Sequence, residues 1–86
     1  MVLTHTTTDG WGPCSVERAA IANRAEADAA VSIHADGGPI DGRGFHVLEP
    51  ALLPGLTDDI VEPSRSLAVA LRDSMLRMSP FPVSDY

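Results

Sequence analysis

The chain has 86 residues, 44% of them apolar, a formal net charge of -6, and no lysine among its six basic residues. Its length allows one small domain with a thin core, and its acidic balance with scattered arginines excludes a phosphate-neutralising surface for nucleic acid or anionic membrane. One cysteine, Cys14, excludes an internal disulfide framework and a cysteine-rich zinc site, and no segment approaches the ~20 apolar residues of a membrane span.

Val2-Leu3-Thr4 is β-prone and reads as the end of a strand. The first twelve residues carry no charged leader, apolar run or cleavage site, so no signal peptide is expected. Thr6 to Pro13 reads as a loop, with Asp9-Gly10 and Gly12-Pro13 as turn signals. Ser15 is a suitable N-cap for a helix running to about Ala25. Val16, Ala19, Ala20 and Asn23 would share its inner face, a small-residue stripe suited to close packing.

Ala29 to His34 is a short apolar run bounded by acidic and glycine residues, the pattern of a strand buried on both faces. Gly37 to Gly42 is a turn-rich loop, and Gly44 to Leu48 is a second strand candidate. Glu49 to Pro63, with three prolines, reads as a long connection with a helical turn near Thr57. Ser64 to Met78 is the strongest helical pattern, with Leu67, Leu71, Met75 and Met78 on one core-facing stripe. Ser79-Pro80 ends it, and residues 81–86 form an extended tail. The predicted order is strand, helix, strand, strand, helix, which points to an α/β layered fold.

His34 is the leading candidate for chemistry. It stands at the carboxyl end of the predicted buried strand, where ligands sit in open α/β sheets, and imidazole suits zinc. The residue alone leaves a second reading open, a histidine hydrogen-bonded at a strand end. His5 reads as solvated. His46 falls on the face opposite Phe45 and Val47 by alternation. Asp36 either orients a ligand or caps the turn before Gly37 and Gly38. No histidine pair stands at metal-binding spacing, so spacing alone assembles no zinc site. The glycine-rich stretch 37–44 lacks the ending of a phosphate loop. Ser15, Ser32 and Cys14 have no base nearby in sequence that would make them nucleophiles. Cys14 is a free thiol or half of a bridge with a distant partner.

The segment Arg18 to Asp36, with Asn23 in its helix and Ser32-Ile33-His34-Ala35-Asp36 at its end, resembles the zinc-dependent N-acetylmuramoyl-L-alanine amidases of bacterial cell walls. The stretch from Gly37-Gly38 to Gly42-Arg43-Gly44-Phe45-His46-Val47 is similar to mycobacterial-type members. Leu3-Thr4-His5 matches an earlier family motif, with His5 where an arginine is common, and the helix from Ser66 matches loosely. The resemblance covers nearly the whole chain, and its specific part is about Arg18 to Val47.

It implies a fragment of a mixed or parallel sheet with helices packed on its faces, central in an amidase domain. It implies a zinc cofactor held by two histidines and a glutamate, with a further glutamate as general base and peptidoglycan as substrate. The bond cut joins N-acetylmuramic acid to L-alanine. By position, His34 matches one histidine ligand. The remaining ligands and the base have no counterpart here, so the resemblance implies a chain inactive by itself, drawn from an exported cell-wall enzyme. It also implies self-association through unpaired sheet edges, and a Cys14 bridge to a cysteine elsewhere. The alternative is a non-catalytic peptidoglycan-binding or regulatory module of the same fold.

Overall fold

In the computed structural model, which describes residues 1–35 and 37–84, the chain divides into two units, Met1–His34 and Ala35–Tyr86. The first contains helix α1, Ser15–Arg24. Its N-cap is Cys14, in extended conformation, one residue ahead of the expected Ser15. Arg18 N–H donates to Cys14 O at 3.0 Å, closing the first turn. Glu17 turns back to accept the Cys14 N–H at 3.0 Å, which satisfies an amide at the helix start and sets a carboxylate in the favourable first turn.

The other end of α1 closes with two backbone bonds. Glu26 N–H donates to Asn23 O at 3.1 Å, and Ala27 N–H donates to Ala22 O at 3.2 Å. This is the helix-ending pattern that needs a left-handed residue, usually glycine, just past the cap. Here Glu26 fills that place at φ 47, a conformation that is costly for a residue with a Cβ.

The second unit is organised by helix α2, Val61–Met78. Thr57 prepares it. Its hydroxyl donates to Ala51 O at 2.8 Å and accepts Leu53 N–H at 2.7 Å, and its own N–H donates to Leu53 O at 3.0 Å. These bonds make the helical turn expected there. Pro63 sits in the first turn of α2, where its missing N–H has no intrahelical partner to lose. Ser79 closes the helix by donating to Met75 O at 2.9 Å. Pro80 follows and keeps Ser79 extended.

One face of α2 is half-buried: Val61, Ser64, Leu67, Ala68, Leu71 and Ser74. The segment from Phe45 to Pro50 alternates strictly, with Phe45, Val47 and Glu49 half-buried and His46, Leu48 and Pro50 exposed. That is the side-chain period of a strand. Phe45 pairs in parallel with Val83, through Phe45 N–H to Pro82 O at 3.0 Å and Ser84 N–H to Phe45 O at 2.8 Å. Gly44 makes this approach feasible. Its φ is +108, and a Cβ there would lie 2.6 Å from Pro82 O and 2.9 Å from Ser84 N. An ion pair also joins α2 to the segment before it, with Arg65 Nε and Nη2 both donating to the single oxygen Glu49 Oε1 at 2.9 and 2.8 Å.

The expectation of an α/β sheet fragment is overturned. The described residues hold two helices and no strand, and the Phe45–Val83 bridge is isolated. Val2-Leu3-Thr4 and Ala29 to His34 are exposed coil, with Val31 58% and Ile33 95% exposed. An apolar run states that burial would be favourable; it does not supply the neighbour that a strand must hydrogen-bond.

Two packing expectations fail for a related reason. Val16 of α1 is 77% exposed, and the half-buried residues are Ala20, Ile21 and Ala22. In α2 the stripe holds at Leu67 and Leu71 but not at Met75 and Met78, which are exposed. No described side chain is fully buried, so a helical face is covered only where a neighbouring segment reaches it.

Candidate functional site

His34 ends the first unit, on the exposed coil that follows α1. Its ring is exposed. Its Nε2 lies 2.9 Å from the hydroxyl of Ser32. The pair comes together within two residues of sequence, without any ladder. This corrects the expectation that Ser32 has no base nearby. The signal was legible as a hydroxyl residue two positions before a histidine in a β-prone run.

His5 repeats the arrangement in the same unit. Its Nε2 lies 3.3 Å from Thr7 Oγ1. The Thr7 hydroxyl also donates to Asp9 O at 3.1 Å. His46, in the second unit, is exposed on the face opposite Phe45 and Val47, as alternation predicts. Asp36 lies outside the described residues. Cys14 is an exposed free thiol at the start of α1.

The second unit carries an open groove of about 320 Å3 between the Phe45–Glu49 segment and α2. Its charged groups are engaged within the chain. Arg65 binds Glu49, and that carboxylate, by hydrogen bond and by charge, raises the Arg65 guanidinium above its ordinary value. Arg72 binds Asp73 at 2.8 Å. The glycine-rich stretch contains a turn, with Gly42 N–H donating to Pro39 O at 2.8 Å.

Zinc in a catalytic site takes three protein ligands and leaves one position open. No three His, Cys, Asp or Glu side chains among the described residues come together to hold a metal. These residues therefore do not make a complete zinc centre. His34 stands as one exposed imidazole, with the Ser32 hydroxyl 2.9 Å from its Nε2.

A family model described as N-acetylmuramoyl-L-alanine amidase matches residues 1–84. The chain is 47% identical over 75 residues to N-acetylmuramoyl-L-alanine amidase Rv3717 of Mycobacterium tuberculosis. That match covers 87% of this chain and 30% of the length of the relative. No solved structure matches the chain significantly.

Proposed function

Since the chain belongs to the N-acetylmuramoyl-L-alanine amidase family, we propose that it is one part of an enzyme hydrolysing the amide between N-acetylmuramic acid and L-alanine in peptidoglycan. The observation that carries this reading is the 47% identity over 75 residues, a length that takes in nearly all of the chain. His34 is the residue assigned to the metal. It contributes one exposed imidazole toward a zinc site whose other ligands are not supplied by the described residues. When bound, zinc activates a water and polarises the scissile carbonyl.

The chain's own residues have a narrower task. The coil after α1 carries His34, with the Ser32 hydroxyl 2.9 Å from Nε2 of its ring. The chain by itself hydrolyses no muramoyl amide, because one imidazole is far from the ligand set that chemistry needs. The exposed apolar residues, among them Leu3, Trp11 and Ile33, favour association with further polypeptide, including a second copy, in water. The substrate class puts the working enzyme outside the cell membrane, at the wall. No helix among the described residues is long and apolar enough to cross a membrane.

The test is a chimera. The matched segment of the mycobacterial relative is replaced by this chain's segment, and hydrolysis of a muramoyl-peptide is followed together with zinc content. The expected result is retained zinc and activity, both lost to background in His34→Ala. Retained binding to peptidoglycan with no hydrolysis and no zinc would favour the non-catalytic wall-binding module instead.

A further inference from the structure

The dipeptide Asp-Gly stands at Asp9, Asp36 and Asp41. Asp36 lies outside the described residues, and the other two stand in different surroundings. We propose that Asp9 is a site of spontaneous covalent modification, where the main chain isomerises to an isoaspartyl linkage, and that the turn holding Asp41 protects it from the same reaction.

The chemistry needs two neighbouring groups and water. The backbone nitrogen of the following residue attacks the side-chain carboxyl carbon of the aspartate. A nitrogen–carbon bond forms, and the carboxyl hydroxyl leaves as water with the amide proton. The product is a five-membered imide ring. Water then opens the ring at one of its two carbonyls. Opening at the side-chain carbonyl restores aspartate. Opening at the main-chain carbonyl leaves the chain running through the former side chain, one carbon longer, with a free carboxylate beside it. Mass and charge are unchanged, and no oxidant or reductant takes part. Glycine in the second place favours the attack, because no Cβ crowds the nitrogen and its backbone is free to turn.

The two sites differ in the state of that amide. Its lone pair is delocalised into the carbonyl, so the nitrogen attacks only as its proton is given up. Gly42 N–H donates to Pro39 O at 2.8 Å, closing a turn that contains Asp41. This bond holds the proton and fixes the peptide plane, and Gly42 is half-buried. Gly10 N–H makes no hydrogen bond among the described residues. Asp9 and Gly10 are both exposed, and nothing lies within 4 Å of where a Cβ would stand on Gly10. The Thr7 hydroxyl donates to the backbone oxygen of Asp9 at 3.1 Å. That bond draws electron density from the Asp9–Gly10 peptide and eases loss of its N–H proton.

The experiment ages the 86-residue chain in heavy-oxygen water at neutral pH, once folded and once in urea. The chain is then digested, and isoaspartate and incorporated heavy oxygen are located by mass spectrometry with electron-transfer fragmentation. In the folded chain, isoaspartate carrying one heavy oxygen should accumulate at Asp9 about fivefold faster than at Asp41, the factor that one modest net hydrogen bond is worth. In urea the turn opens, and the two rates should become nearly equal. Asp9→Glu should lose the label at that position, since its ring would have six members and closes far more slowly, while the backbone oxygen that Thr7 binds is kept. Equal rates at the two sites in the folded chain would overturn the proposal, as would no isoaspartate at Asp9. A ratio the same in urea as in the folded chain would assign the difference to flanking sequence and overturn the protective role of the turn. Label retained in Asp9→Glu would rule out the imide route.

Discussion

The two units put their stabilising bonds at different ranges. In Met1–His34 the bonds described join residues close in sequence: Glu17 to Cys14, Glu26 to Asn23, Ala27 to Ala22, and the hydroxyl–imidazole pairs. In Ala35–Tyr86, bonds close long loops: Glu49 to Arg65, and Phe45 to both Pro82 and Ser84. Helix α1 has 10 residues and α2 has 18. An isolated helix below about 12–15 residues is marginal in water, so α1 depends on its caps, whereas α2 has both length and a half-covered face. His34 lies in the first unit, where the contact it makes is the local one with Ser32.

The sharpest way to break this contrast is at Gly44. Gly44→Ala should open the Phe45–Val83 bridge, because both the positive φ and the approach of Pro82 O exclude a Cβ. The strain alone is about 1–3 kcal/mol. Amide hydrogen exchange at Phe45 and Ser84 should accelerate, with the amides of α1 unchanged. Equal acceleration in α1 would mean that the units are not independent.

The next effect reads the first unit. Glu26→Gly should stabilise α1, since glycine adopts the left-handed cap without the penalty of about 1–2 kcal/mol carried by an L-residue. The gain should show as more helical circular dichroism and slower exchange in α1 only. A loss of helicity would mean that the Glu26 side chain matters more than its backbone. In the opposite direction, Glu17→Ala should weaken α1 by about 0.5–1 kcal/mol, through the lost bond to Cys14 N–H and the lost charge in the first turn. Slower exchange in the variant would refute the capping role.

The smallest effect belongs to Arg65→Ala. The arginine side chain is 61% exposed, and an exposed pair is screened by water and salt. The raised guanidinium value shows the pairing, not a stability gain of the same size. The variant should unfold almost as the parent does, with less sensitivity to added salt. A large loss of α2 would make the loop closure between Glu49 and Arg65 more important than this exposure implies.

The helices were legible because their signals are local. Apolar spacing from Leu67 to Leu71, Pro80 after the last turn, and a capping residue near Cys14 all act within a few positions. Their boundaries differ little from expectation: α1 is capped one residue earlier and ends at Arg24 instead of about Ala25, and α2 begins at Val61 instead of Ser64. The alternation at Phe45, His46 and Val47 was equally legible, since it needs only an extended backbone.

What the sequence determined by itself was therefore what depends on near neighbours: the two helices, the turn at Thr57 and the family motif around His34. Tertiary structure alone decided the rest. A strand exists only when a distant segment offers its hydrogen-bonding groups, and among the described residues one bridge, Phe45 to Val83, does so. Burial likewise needs a partner surface, so the apolar run ending at His34 stays in water although its composition favours a core. A metal centre is the most demanding case, because three ligands must converge from separate parts of a fold, and one histidine in a motif cannot bring the other two.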